Sequence, residues 1–299
     1  MVTGVKINAG LNVDRRYIRR ILAMLHSIEK LGLADAQTRH DSSGGKGALA
    51  AHLRGKIAYV AHLKGQTDPV VRSLAQRYNK SFLSKPIKLA PRAAERRDRA
   101  VWVVEVPEKH NGTAFFLAGV GLVTAAHCIE GMSEVDVLHP SKHTTIFKVK
   151  VRHYDRHRDV AVLDDANIPS TEFYELQPAA NAAAVTDAIM AVGYPMWGFG
   201  ERLNIRPGEV SLLTVRSGVL LIEVTQQLTP GMSGGPILNA EGEVVGIVHK
   251  GGPEGGRQLA IRLSELKASL KEAAKKGRIK VGAWARQQSR QPTVLPGAD

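Results

Sequence analysis

The stretch AVWVVEVPEKHNGTAFFLAGVGLVT, residues 100–124, contains short apolar runs separated by charged and small residues. Its β-branched and aromatic residues favour strands, and the Pro, Asn and Gly between the runs favour turns. Similar runs recur towards the carboxyl end, at 134–138, 145–151, 159–163, 188–194, 209–215, 218–224, 243–249 and 257–263. Many short strands at this spacing predict an antiparallel β-sandwich or barrel.

The chain before residue 100 has helical periodicity instead. Between Asn12 and Leu33 the apolar residues recur three and four positions apart, which places them on one face of a helix. We expect shorter helices over 48–63 and 68–79, and a loop over 34–47.

The sequence therefore predicts a small α-helical module followed by a mainly β domain. The expected boundaries are a helical module over 1–79, a basic linker over 80–99, the β domain over 100–276 with a closing helix at 264–276, and a flexible basic tail over 277–299.

Composition excludes several classes of protein. The 299 residues include one cysteine, so a disulfide-stapled small domain is excluded. The first thirty residues carry charge throughout and contain no apolar signal-peptide core, so we expect no secretory signal. No apolar run reaches the length of about 18 residues that a membrane span needs. We expect a soluble cytoplasmic protein without a membrane partner.

The net charge of +13 is concentrated in the first third of the chain. Residues 1–100 hold 20 Lys and Arg against 7 Asp and Glu, whereas residues 101–299 hold 21 of each. This asymmetry favours a nucleic-acid contact by the helical module, and a merely solvated basic face is the alternative.

Three motifs in the β-rich part contain residue types that together support nucleophilic catalysis. They are VTAAHC with His127, RDVAVL with Asp159, and PGMSGGP with Ser233. A serine hydroxyl needs a neighbouring base, and the ordinary pKa of histidine, about 6.5, suits that role. A carboxylate fixes the tautomer of the histidine and stabilises the imidazolium that forms. We predict His127, Asp159 and Ser233 as a catalytic triad.

The glycines around Ser233 predict an oxyanion-binding site. Gly231 can adopt backbone conformations that a side chain forbids, so its N–H and that of Ser233 can point to one place. Gly234 and Gly235 would allow another strand or a substrate backbone to approach closely.

Residues 100–263 resemble the trypsin-like peptidases of chymotrypsin fold, especially the disulfide-free HtrA-type branch. The resemblance rests on TAAHC at 124–128, RDVAVL at 158–163 and PGMSGGPIL at 230–238. It implies two six-stranded antiparallel β-barrels, with His127 and Asp159 on the first barrel and Ser233 on the second. The implied reaction is peptide-bond hydrolysis through an acyl-enzyme, without metal or other cofactor, on a protein or peptide substrate.

The same resemblance assigns the substrate pocket to Gln227, His249 and Gly251. Because Gln227 is not acidic, we do not expect a preference for Lys or Arg at the cleaved position. We expect a small or medium-sized side chain there instead. His249 is alternatively an ordinary strand histidine. Cys128 has no cysteine partner, which agrees with a reducing compartment.

Residues 2–79 resemble the C-terminal thumb of retron-type reverse transcriptases. The resemblance rests on VTGVKINAGLNVDRRYIRRILAMLHSIEKLG at 2–32, LRGKIAYVAHLKG at 53–65 and DPVVRSLAQRYNK at 68–80. The palm is absent, so no polymerase activity is expected. By resemblance, RNA or an RNA–DNA hybrid is the expected partner. The candidate phosphate contacts are Arg15, Arg16, Arg19, Arg20, Arg54, Lys56 and Lys64.

Together these features predict a serine endopeptidase that is the effector part of a truncated retron-type fusion in antiviral defence. One alternative is a nucleic-acid-binding remnant whose peptidase-like barrel is inactive. The other is a barrel that binds peptides or acts as a scaffold.

Overall fold

The computed structural model describes residues 5–6, 12–89, 91–106, 111–250 and 256–277. The chain divides into two compact units, Met1–Arg92 and Ala93–Asp299. The first unit is helical and the second contains two β-barrels.

The first unit combines a two-stranded ribbon with four helices. They are β1 (Val5–Lys6), β2 (Asn12–Val13), α1 (Arg15–Leu31), α2 (Leu33–Ser42), α3 (Leu49–Lys64) and α4 (Pro69–Ser81). The predicted apolar face of α1 is confirmed, since Ile21, Leu25 and Ile28 are buried. Asp68 caps α4 by accepting hydrogen bonds from the backbone N–H groups of Val70 and Val71.

The loop prediction for residues 34–47 is wrong over most of its length, because α2 occupies Leu33–Ser42. This helix buries only Ala36, so it lacks the apolar periodicity that marks a helix in a sequence. Hydrogen bonds hold α2 in place of an apolar face: Gln37 donates to the Asp41 carboxylate (2.8 Å) and accepts from the Leu49 N–H (2.8 Å).

The second unit begins with a helix inside the predicted linker, α5 (Ala93–Ala100), which leads directly into the first barrel. That barrel is closed, in the order β3-β4-β5-β8-β7-β6. Its strands are β3 (Val101–Glu105), β4 (Gly112–Leu117), β5 (Gly121–Thr124), β6 (Glu134–Leu138), β7 (Ile146–Asp155) and β8 (Val160–Leu163). Every residue of β4, β5 and β8 is buried.

The second barrel is also closed, in the order β10-β11-β14-β13-β12-β9. Its strands are β9 (Ala188–Gly193), β10 (Asn204–Arg216), β11 (Val219–Val224), β12 (Pro236–Leu238), β13 (Val244–Lys250) and β14 (Leu259–Arg262). All pairings in both barrels are antiparallel. The predicted double-barrel fold is therefore confirmed.

One buried apolar cluster contains residues of both barrels and holds them together. Val101 and Phe115 of the first barrel belong to it, as do Val192 and Ile247 of the second. Within this cluster the buried Tyr194 hydroxyl donates to the Val101 carbonyl (3.1 Å). The closing helix α6 (Leu263–Lys275) buries Leu266 and Leu270 in the same cluster.

Among the helices of the described ranges, none has the length and the hydropathy that crossing a bilayer requires.

Candidate active site

The predicted triad residues lie on connections between strands of the two barrels. His127 is in a short 3-10 turn, Ala126–Ile129, which follows β5. Asp159 ends the turn between β7 and β8, and Ser233 lies in the loop that leads into β12. The first barrel thus provides the imidazole and the carboxylate, and the second provides the hydroxyl.

Asp159 holds His127 through two hydrogen bonds. The Asp159 Oδ1 atom accepts from the His127 backbone N–H (2.8 Å), and Oδ2 lies 2.7 Å from the His127 Nδ1 atom. The side chain of Asp159 is 13% exposed, whereas that of His127 is 42% exposed. This arrangement fixes the imidazole with Nδ1 on the carboxylate and leaves Nε2 for proton transfer.

A second imidazole shares the same carboxylate oxygen. His249, near the end of β13, places its Nδ1 atom 2.6 Å from Asp159 Oδ2. The carbonyl of His249 accepts a hydrogen bond from the Ser233 hydroxyl (3.2 Å). Among the hydrogen bonds of the described residues, none joins the Ser233 hydroxyl to His127. His249 therefore links the carboxylate of one barrel to the serine of the other.

The loop before Ser233 leaves two backbone N–H groups unengaged. Gly231 has φ +90°, and a Cβ atom there would lie 2.5 Å from both the Tyr194 carbonyl oxygen and the Met196 nitrogen. Within the described part of the chain, neither the Gly231 nor the Ser233 N–H donates to a protein acceptor. These two groups are therefore free to stabilise an oxyanion.

Thr113 of β4 fixes that loop from the opposite barrel, and sequence reasoning missed it. Its fully buried hydroxyl donates to the Gly231 carbonyl (2.7 Å) and accepts from the Tyr194 N–H (3.0 Å). Its own N–H donates to the Ser233 carbonyl (2.9 Å). No sequence signal singles out this residue, because it lies in the apolar run TAFFLAG.

We expect Thr113→Val to lower the free energy of unfolding and to lower turnover, because the loop that carries Gly231 and Ser233 loses its anchor. Valine keeps the shape but leaves the Gly231 carbonyl and the Tyr194 N–H buried without partners, at a cost of about 2–4 kcal/mol of unfolding free energy. Denaturant unfolding and peptide hydrolysis check this, with Thr214→Val on β10 as the control. Wild-type stability and turnover in Thr113→Val would contradict it.

The electrostatics of the site favour an ion pair between His127 and Asp159. Burial would raise the pKa of Asp159, but hydrogen bonds from the two imidazoles and the charge of His127 lower it to about 2. Burial would lower the pKa of His127, but Asp159 and the Cys128 thiol, 3.8 Å from Nε2, raise it to about 10. The raised pKa favours the protonated imidazole, which must lose its proton before it can act as a base.

The pH dependence of the reaction follows from this. Because a raised pKa keeps His127 protonated at neutral pH, we expect kcat/KM to increase with pH and to level off only near pH 10. Cys128→Ala removes the contribution of the thiol and should move the midpoint to lower pH. Hydrolysis rates between pH 6 and pH 11, with circular dichroism to verify folding, test this. An identical midpoint in both proteins would refute it.

The three predicted pocket residues have different surroundings. Gln227 is exposed, and its carbonyl accepts from Arg206 (2.6 Å). The His249 ring is turned to Asp159, and Gly251 lies outside the described residues. The neighbouring Gln226 is 8% exposed, and in the described structure neither atom of its side-chain amide has a partner.

His127, Asp159 and His249 also form a set of metal-ligand types. Their ligand atoms lie within 4.8 Å of one another. The nitrogen–oxygen distances of 2.6 and 2.7 Å are those of hydrogen bonds, so this arrangement fits proton transfer rather than metal coordination.

The predicted phosphate contacts fall into two groups. Arg15, Arg16, Arg19 and Arg20 are all exposed on α1, and no ion pair of the described residues involves them. The others have partners within the first unit. Arg54 donates to the Lys85 carbonyl, Lys56 lies over the Tyr17 ring, and Lys64 pairs with Asp68.

Comparison with known proteins agrees with this geometry. Residues 112–247 match the model of the trypsin-like peptidase domain. Protease Do-like 2 of Arabidopsis thaliana, a chloroplastic protein, is 29% identical over 192 residues, which cover 61% of this chain and 30% of the relative. Protease Do-like 1 from the same plant is 31% identical over 155 residues, which cover 48% of this chain and 34% of the relative. The chain thus spans about a third of the length of these relatives.

Solved structures share the fold of the second unit. The serine endoprotease from Yersinia pestis is 22% identical with a TM-score of 0.51, over 62% of this chain and 67% of that one. The active form of the Rv3671c protease from M. tuberculosis is 21% identical with a TM-score of 0.52, over 66% of this chain and 95% of that one. Residues 112–247 are therefore similar to a trypsin-like peptidase domain, and the solved structures share the double-barrel fold that contains these residues.

Proposed function

We propose that the second unit is a serine endopeptidase in which Ser233 is the nucleophile, His127 the general base and acid, and Asp159 the orienting carboxylate. The observation that carries this proposal is the 2.7 Å contact between Asp159 and His127 Nδ1, opposite a loop with two free N–H groups. A histidine without a carboxylate partner would lack the first feature, and a loop whose N–H groups all had protein acceptors would lack the second.

The reaction follows from these positions. Once deprotonated, His127 Nε2 takes the Ser233 proton as the oxygen attacks the substrate carbonyl. The Gly231 and Ser233 N–H groups stabilise the resulting oxyanion. His127 then gives the proton to the leaving amine, which leaves an acyl group on Ser233. Water, activated by the same imidazole, releases the acid product and restores the serine.

The side chain on the acyl side of the cleaved bond is proposed to be small or medium-sized, because no acidic group stands at position 227 to attract Lys or Arg. Digestion of an unfolded protein, with the new termini identified by mass spectrometry, tests both the activity and this preference. New amino termini that depend on Ser233 support the proposal. Absence of cleavage across pH 6 to pH 11 indicates instead an inactive barrel.

The exposed arginines of α1 favour a second function. We propose that Arg15, Arg16, Arg19 and Arg20 bind nucleic-acid phosphates, and that RNA or an RNA–DNA hybrid bound there regulates the peptidase as the effector of a retron-type antiviral system. The four side chains follow one another along one helix and lie in solvent, as phosphate contacts require.

A salt titration tests this binding. Four phosphate contacts predict a slope of log K against log salt concentration of about −2.8 for single-stranded RNA and about −3.6 for a duplex. Replacing the four arginines by glutamine should abolish binding, whereas Arg54→Gln, whose guanidinium already contacts the Lys85 carbonyl, should change it little. Equal binding by wild type and the fourfold variant at low salt would overturn the proposal.

A further inference from the structure

The closing helix α6 contacts the turn that carries Asp159. Three of its residues face that turn at positions spaced four and three apart, namely Glu265, Ser269 and Glu272. Glu265 is 7% and Ser269 is 2% exposed, so polar side chains are buried at this junction. Neither the peptidase motifs nor the apolar contacts of α6 account for them.

Arg158, the residue before Asp159, is the centre of this junction. Its Nε atom donates to Glu265 Oε2 (3.2 Å), and its Nη2 and Nη1 atoms donate to the two carboxylate oxygens of Glu272 (2.7 and 3.1 Å). Nη1 also donates to Asp155 Oδ2 (3.0 Å). A forked guanidinium with three carboxylates is held in one orientation, as a single ammonium would not be.

A second set of hydrogen bonds fixes the start of the same turn. The Ser269 hydroxyl donates to Asp155 Oδ2 (2.6 Å) and lies 2.7 Å from His153 Nε2. Asp155 Oδ1 accepts from the Arg158 backbone N–H (3.0 Å). The turn is therefore tied to α6 at both ends, through Asp155 and through Arg158.

The turn needs such support because Asp159 has φ +53°. This left-handed conformation is uncommon for residues other than glycine, and it persists only where the surroundings determine it. Because the Asp159 carboxylate contacts both the His127 and the His249 imidazole, a small rotation of the turn would break these hydrogen bonds.

We propose that Arg158 is a positioning residue and that α6, through Glu265, Ser269 and Glu272, sets the orientation of the Asp159 carboxylate. This inference rests on the proposed peptidase function. It makes α6 a part of the catalytic apparatus that does not touch the substrate.

The test compares Arg158→Met, which keeps the length but removes the charge and the fork, with Arg158→Lys, which keeps the charge. Lys142→Met is the matched control, because it removes an ion pair with Glu172 from the same barrel. We would measure kcat and KM on a peptide substrate, thermal unfolding, and the pKa of the His127 imidazole by NMR.

We expect Arg158→Met to lower kcat by about 10- to 100-fold with KM unchanged, Arg158→Lys to recover part of the loss, and Lys142→Met to resemble wild type. Because a displaced carboxylate no longer stabilises the imidazolium, the pKa of His127 should fall in Arg158→Met. Loss of the Arg158 charge alone would instead raise the pKa of His127. A fall in this pKa therefore indicates a displaced Asp159 carboxylate, and a rise indicates only the loss of charge.

A folded Arg158→Met protein with wild-type kcat and an undiminished His127 pKa would overturn the proposal. If that variant does not fold, Glu265→Gln combined with Glu272→Gln removes the charged acceptors at similar size. Loss of two negative charges alone would lower the His127 pKa, so in this variant kcat and KM carry the test: kcat should fall with KM unchanged, and a wild-type kcat would overturn the proposal. If the wild type has no peptidase activity, the proposed function fails, while the His127 pKa still tests the role of Arg158.

Discussion

Replacing Ser233 by alanine is expected to lower the rate of peptide hydrolysis by about 10⁶-fold, because the variant lacks the oxygen proposed as the nucleophile. The substitution removes one oxygen whose only described hydrogen bond is a 3.2 Å contact with the His249 carbonyl. The loop itself is held by Thr113 and by the glycine conformations, so the fold should be unchanged.

Initial rates of peptide hydrolysis and the thermal midpoint check this expectation. Ser211→Ala, an exposed serine of β10, is the control and should match wild type in both measurements. Hydrolysis that survives in a folded Ser233→Ala protein would show that the activity has another source.

Asp159→Asn is expected to lower kcat by about 10⁴-fold. The carboxylate accepts three hydrogen bonds, from the His127 N–H and from two imidazole Nδ1 atoms. An amide replaces one accepting oxygen by a donating NH₂ group, so at least one of these donors faces another donor. The imidazole of His127 then loses the tautomer that leaves Nε2 as the base.

This loss should appear in kcat and not in KM, because Asp159 does not contact substrate in the proposed reaction. Asp164→Asn, at the end of β8, is the matched control for the change from carboxylate to amide. A similar loss of kcat in the two variants, or wild-type turnover in Asp159→Asn, would contradict the role of Asp159.

The pattern of apolar runs predicted an antiparallel β-sandwich or barrel, and the resemblance to trypsin-like peptidases implied the two six-stranded barrels that the structure shows. The same motifs supplied His127, Asp159 and Ser233 as candidate site residues, of which the structure joins His127 to Asp159. Short β-rich runs and glycine-rich turns are local features, and the segments around His127, Asp159 and Ser233 are short motifs that carry their own chemistry. The helix α1 was likewise predictable, because Ile21, Leu25 and Ile28 recur at helical spacing.

Contacts between distant segments were not predictable. Nothing local shows that the His249 ring lies on Asp159, that Thr113 fixes the Gly231 loop, or that α6 contacts Arg158. Each depends on how the strands close into barrels. The helix α2 was missed for a related reason, since it is held by polar contacts rather than by an apolar face.

The reaction of the native protein with a fluorophosphonate, followed by mass spectrometry of the modified peptide, tests the central claim most directly. The account predicts one adduct per chain, on Ser233, formed faster as the pH rises towards 10, slowed in Asp159→Asn and absent after heat denaturation. An unmodified native protein at every pH, or an adduct on another residue, would contradict it.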